Sequence, residues 1–150
     1  MFLALTYFHS IKGPLIYLSY PDKIPEDISR KIVNFFDLDI NESFFEIVLI
    51  EKKQRIINFY FEIPSQWARG DTEMAMISLA MNMDYDSDMV YGFLKDSYQK
   101  IASIDSIYKG FYKFDDFHDN DIEIDLNYEL IKKILRTCLD NLIEKLKNSN

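Results

Sequence analysis

The sequence predicts an α+β fold: one five-stranded mixed sheet with helices on both faces, built in the order ββαβββαα. Three observations predict it. Two short apolar runs, FLALTYFHS and LIYLSY, flank Lys12-Gly13-Pro14, which reads as a turn between two strands. The run from Met74 to Met83 is apolar on both alternating faces, with Met74, Met76 and Ala80 on one and Ala75, Ile77, Leu79, Met81 and Met83 on the other. A strand of that kind is central and covered from both sides. Near the C-terminus, Ile131, Leu135, Cys138, Leu142 and Leu146 recur at helical spacing.

The elements follow in order. Phe2 to Ser10 is β-branched, aromatic and aliphatic without helical spacing, hence the first strand. Leu15 to Tyr20 is the second, with Gly13-Pro14 as pivot and Pro21 as its end. Pro25 suits a first helical turn, and Glu26 and Asp27 put negative charge at the positive end of the helix dipole. The first helix is expected from Pro25 to Phe36, and Asn41 and Glu42 mark its exit loop. Phe44 to Glu51 and Ile56 to Ile63 form a second hairpin around the polar tip Lys52-Lys53-Gln54-Arg55, stopped by Pro64. Gln66 to Thr72 is a loop, followed by the central strand. Asp86-Ser87-Asp88 is an N-cap signal for the next helix, with Val90, Phe93, Leu94, Tyr98 and Ile101 on its apolar side. Asp105 to Asp125 lacks periodicity and reads as a long connection with a short extended piece. The last helix is expected from Tyr128 to Lys147.

The bulk numbers fit a single domain over residues 1–150. The chain is 48% hydrophobic and 15% aromatic with only four Gly and four Pro, a composition that builds a core. Net charge is −8, which argues against nucleic acid and against anionic lipid. The one cysteine, Cys138, excludes an intrachain disulfide and reads as a buried core thiol. MFLALTYFHS lacks the basic region and apolar length of a signal peptide, and no run of about 18 apolar residues exists to insert in a membrane. These features point to a reducing, cytoplasmic setting, with any membrane contact made through partners.

Motif chemistry is sparse. No phosphate-cradling glycine loop, nucleophile elbow or zinc-protease motif occurs. The chain is therefore expected to be non-catalytic and to use neither cofactor nor metal. His9 ends the first strand and reads as solvent-facing or as a cap of the turn. His118 begins the acidic stretch HDNDIEID. Counted from Asp119, the sixth and twelfth positions are Ile124 and Leu130, not the Gly and Glu of a calcium loop, so the stretch reads as solvated acid. Arg69-Gly70-Asp71 reads as a turn. Trp67 is either an interface anchor or the residue that packs its loop onto the domain. Five of the six methionines lie between Met74 and Met89; an adaptable binding groove would explain them, and a central strand does so more simply.

The opening FHSIKGPLIYLSYPD, with Phe8, Gly13, Pro14, Tyr20, Pro21 and Asp22, resembles the start of longin domains, most closely the nitrogen permease regulator 2-like and folliculin-related group. The likeness extends to QWARGDTEMAMISLAMN and to the element order over nearly the whole chain. The aliphatic, Asn- and Lys-rich style is similar to that of archaeal longin proteins. The resemblance implies a longin-like (profilin-like) fold. It also implies a module that dimerises, or pairs with another longin- or roadblock-type subunit, and that binds or regulates a Ras-like small GTPase in a trafficking or signalling role. Longins place the third strand at an edge, here Phe44 to Glu51. Phe44, Phe45, Ile47 and Leu49 would then belong to an interface guarded only by Glu46 and Glu51, with Phe35 and Phe36 of the preceding helix beside them. In the regulator group an arginine in the loop before the fifth strand acts as an arginine finger. Arg69 stands in the similar place; the alternative is that it solvates its loop or pairs with Glu73 or Asp71. A third reading, a small-ligand sensor, needs polar groups converging inside apolar walls. The sequence points to none.

Overall fold

Alternation of apolar residues on two faces makes five strands, and their lengths and turns set how they pair. The computed structural model describes residues 1–36, 44–116, 118 and 120–148. Asn41, Glu42 and Asp119 lie outside them. The strands are β1 (Phe2–His9), β2 (Gly13–Tyr20), β3 (Phe44–Leu49), β4 (Gln54–Pro64) and β5 (Thr72–Asn82). Helix α1 spans Glu26–Phe36, α2 Ser87–Ala102 and α3 Ile122–Asn148. The sheet order is β2-β1-β5-β4-β3.

Every strand pairing is antiparallel, so the sheet is not mixed. The reason lies in the crossover. Helix α1 returns the chain so that β3 runs in the same direction as β2, which is what suggests a mixed sheet. But β1, β5 and β4 come between them, and no parallel neighbours result. The central place of β5 and the edge place of β3 agree with the sequence reading.

Helices cover both faces, as the two-sided β5 demands. Ile28, Ile32 and Phe35 of α1 pack on Ala4, Ile56 and Met76. The other face carries the larger core, in which Leu5, Ile57, Ile77 and Leu79 meet Leu94 of α2 and Ile131 of α3. The two apolar faces of β5 divide between these cores: Met76 and Ala80 face α1, whereas Ala75, Ile77, Leu79 and Met81 face α2 and α3. Met76 and Met81 of this strand are core residues, whereas Met74 is half-buried at the strand's start.

Local differences have local causes. The turn after β1 pivots on Ser10-Ile11-Lys12 rather than on Gly13-Pro14: His9 pairs with Gly13 and Phe8 with Pro14. Gly13 adopts φ +75°, a left-handed conformation that disfavours side chains. Proline fits β2 because β2 is an edge strand. Between Leu5 and Thr6 the register slips, leaving Tyr17 as an extra residue, so Tyr17 and Leu18 both enter the larger core. In the second hairpin, Ile50–Lys52 form a 3-10 turn and Lys53 is left-handed, so Gln54 and Arg55 belong to β4 and not to a loop tip.

The expected N-cap of α2 forms, with Asp86 accepting the Asp88 N–H at 2.9 Å. Among its described residues the connection after α2 holds no extended piece; Ile107–Tyr112 form a 3-10 segment. Helix α3 begins at Ile122, six residues before Tyr128. Asp121 starts it by accepting the Glu123 N–H at 3.0 Å. Ile122 and Leu126 are 86% and 59% exposed while Ile124 is buried, so the apolar stripe is broken where the helix starts. Among the described residues no helix is long and apolar enough to cross a membrane.

Candidate functional site

The β4–β5 loop is short, and three local features build it. Ser65 Oγ accepts the amide N–H groups of Trp67 (3.2 Å) and Ala68 (3.1 Å). Ser65 N–H donates to Asp71 O at 2.8 Å, closing the loop. Gly70 and Asp71 both have positive φ, +85° and +67°, which reverses the chain into β5. Arg69-Gly70-Asp71 is thus a turn. It holds Trp67 inward and Arg69 outward at one end of the sheet.

Trp67 packs its loop onto the domain. It meets Tyr108 and Tyr112 edge-on, at 5.4 and 5.1 Å between ring centres, and stacks flat on His118 at 3.8 Å. Lys109 Nζ lies 5.4 Å from the centre of the same ring. The acidic stretch after His118 is not freely solvated. Lys109 bridges Asp121 and Glu123, each at 2.9 Å, and Lys113 reaches Asp125 at 2.6 Å. These carboxylates raise the Lys109 pKa, and Lys109 lowers that of Asp121.

The end of β1 faces this loop across a cleft of about 540 Å³. Tyr7, Phe8 and His9 form one wall, Trp67 and Arg69 another, and Glu73 and Tyr112 lie deeper. Glu73 is only 5% exposed. Its Oε1 accepts from Ser65 Oγ at 2.9 Å and from the Tyr112 hydroxyl. Opposite, His9 is buried and caps its own turn: its Nδ1 accepts the N–H of Ile11 (3.0 Å) and of Lys12 (3.1 Å). That fixes the ring proton on Nε2, which donates to Asp115 Oδ1 at 3.3 Å. Burial first, then the negative charges of Asp115 and Glu73, raise the pKa of Tyr7. Burial first and then the Glu73 hydrogen bond raise that of Tyr112.

Arg69 is exposed on the cleft rim. Glu73 is occupied by Ser65 and Tyr112, and Arg69 pairs with neither Glu73 nor Asp71 among the described residues. No group of three His, Cys, Asp or Glu side chains suited to a metal forms among those residues.

The edge residues assemble elsewhere. On the α1 face Phe45 meets Phe35 edge-on at 6.3 Å, and Ile47 and Leu49 join the same cluster. On the other face Phe44 stacks on Phe59 at 4.4 Å and touches Tyr91. Phe36 lies between Tyr60 and Phe8. Glu46 does not guard the edge: Arg55 Nε lies 2.9 Å from its Oε1, and Ser87 and Tyr91 donate to its Oε2. Trp67 lies with Arg69, not with these residues.

In the opening motif, Tyr20 donates to Lys132 O on α3 at 3.1 Å, and Asp22 O accepts from Ser19 Oγ. The Tyr20–Pro21 bond is cis. The motif shapes the hairpin and its exit. Sequence reasoning missed Ser65, Glu73, Tyr112 and Asp115 as one site. The one available signal was Glu73, the sole acidic residue among the apolar positions of β5. Compared with known proteins, the chain matches no family model and no curated protein.

Proposed function

We propose that this chain is a non-catalytic, longin-type interaction module. It dimerises, or pairs with another longin- or roadblock-type subunit, and binds or regulates a Ras-like small GTPase in a trafficking or signalling role. The observation that carries the pairing is the β3 edge. It runs in unbroken register with β4 from Phe44↔Phe59 to Leu49↔Gln54, with neither proline nor bulge. No strand lies beyond it among the described residues. Val48 is 44% exposed there, Ile50 in the 3-10 turn that follows is 80% exposed, and the carboxylate of Glu46 is turned to Arg55. A regular, apolar, uncharged edge is a template for a further strand. The opening motif and the edge position of β3 support the longin reading. That reading places the protein in the cytoplasm, meeting membranes through its partners.

Light scattering at roughly tens of micromolar is expected to give twice the 17.9 kDa chain mass, or a heteromer once a longin or roadblock subunit is added. A clean monomer that gains no mass with such partners would count against the pairing. Immobilised protein is expected to retain a small GTPase in one nucleotide state more than in the other; equal retention, or none, rejects the GTPase part.

A second reading is favoured by one observation: Arg69 is exposed and has no ion-pair partner among the described residues. As an arginine finger it would place a guanidinium at a γ-phosphate, a gain of roughly 10³–10⁵ in rate. Single-turnover GTP hydrolysis by the cognate GTPase decides it: Arg69→Ala should abolish the acceleration, and equal rates with wild type and variant sink the idea.

A further inference from the structure

We propose that the cleft between the end of β1 and the β4–β5 loop binds a small organic cation, a compound bearing a guanidinium or primary ammonium group, with Glu73 and Asp115 as its anionic partners. The inference stands independently of the pairing described above.

Both hydrogen bonds to Glu73 arrive at Oε1, leaving Oε2 without a protein donor among the described residues, although the residue is 5% exposed and lines the cleft. That oxygen is not sealed in the core but opens to the cleft, where a ligand cation can meet it. Asp115 is the second carboxylate on the cleft wall. Its partner His9 does not neutralise it. With Nδ1 accepting two backbone N–H groups, the imidazole meets Asp115 as a neutral N–H donor. Arg69, the cation on the rim, is paired with neither acid. An anionic ligand would gain Arg69 but face both carboxylates; a cation gains both carboxylates and meets Arg69 only at the mouth.

The walls suit such a ligand. Tyr7 and Tyr112 supply aromatic surface, which attracts guanidinium and ammonium groups, while Trp67, already stacked on His118, serves as the rigid side of the cleft. The raised pKa values of Tyr7 and Tyr112 owe part of their shift to Glu73 and Asp115, so both rings lie in the same negative field. A volume of about 540 Å³ is that of a small-molecule site.

The test uses butylguanidinium and its neutral isostere butylurea, read by the fluorescence of Trp67, the only tryptophan and itself in the cleft wall. Butylguanidinium should give a saturable change with Kd below roughly 1 mM, and butylurea should bind at least about tenfold more weakly. Glu73→Gln and Asp115→Asn should each weaken butylguanidinium by about tenfold or more. Because Glu73 is buried, circular dichroism checks each fold, and Asp115→Asn, at a half-buried position outside the sheet, decides alone if Glu73→Gln unfolds. Equal binding of the two probes, no saturation by about 10 mM, or unchanged affinity in the folded variants would overturn the proposal.

Discussion

The two edges of the sheet are built in opposite ways. β2 carries Pro14 within the strand and a bulge at Tyr17. It is also fastened to the helical layer. The Tyr17 hydroxyl donates to Gly110 O at 2.7 Å and accepts the Lys113 N–H at 3.1 Å, while Tyr20 reaches Lys132 O. Proline, bulge and side-chain anchoring are the devices that keep an edge from pairing with another chain. β3 has neither the proline nor the bulge. Its side chains are fixed from both faces, through Phe35 on one and Tyr91 on the other, but its register is regular. Among the described residues, therefore, β2 carries the interruptions that discourage a further strand, and β3 does not.

The broadest way to break the anchored edge is alkali. Tyr17, Tyr20 and Tyr7 near β2 have raised pKa values, burial being the largest cause, as do Tyr91, Tyr112 and Tyr60, the last pushed up to about 12 by burial and by its hydrogen bond to Glu62. Below the ordinary value of 10.0 each phenol is protonated folded or unfolded, and its contribution is fully present. As pH rises through 10 toward about 12 the unfolded chain ionises first, so stability falls across that window. Phenolate absorbance should lag in the folded protein relative to the urea-unfolded chain, with loss of circular dichroism in the same range. Superimposable titrations would contradict this.

A more local break is Gly110→Ala. A Cβ there would stand 2.8 Å from Ile131 Cδ1 and 2.9–3.0 Å from the backbone of Asn127 and Tyr128. Either α3 or the 3-10 segment would have to give way, and a shift of the 3-10 segment moves Gly110 O, the acceptor of Tyr17. The expected loss is about 3 kcal/mol, a fall in Tm of roughly 10 °C. A melting curve like that of wild type would mean the contact between the 3-10 segment and α3 is looser than described.

Tyr17→Phe sharpens the comparison. It keeps the ring stacked on Phe111 but leaves Gly110 O and Lys113 N–H without their partner. Urea unfolding should register a loss of about 1–2 kcal/mol at unchanged slope. No loss would deny that the hydroxyl anchors β2.

The smallest effect on folding is expected at β3. Val48→Lys places a charge on an already exposed edge position. It should change folding stability by no more than about 0.5 kcal/mol while shifting the assembly toward monomer in light scattering. Retention of the assembled mass would remove β3 from the interface.

Much of the fold was legible from local patterns. The two-sided apolar run of β5 gave its central place, Asp86 marked the start of α2, and the stripe from Ile131 to Leu146 marked α3. Other features were not. The start of α3 was hidden because Ile122 and Leu126 are apolar yet exposed, and the acidic run after His118 looked solvated because its lysine partners lie on the 3-10 segment. The turn after β1 was misplaced because Pro14, a turn signal in sequence, is equally at home in an edge strand.

The cleft was the least legible part. His9 and Asp115 are 106 positions apart and Glu73 and Tyr112 are 39 apart, and no periodicity links them. By itself, the sequence determined which faces of which segments avoid water, because side-chain direction alternates in a strand and rotates in a helix. Only the tertiary structure decided which strand ends meet, that every neighbouring pair is antiparallel, and that Arg69 shares a cleft with two carboxylates it does not pair with. Those outcomes depend on where α1 returns the chain and how the 3-10 segment lies on α3, which are long-range packing choices that no short window of residues encodes.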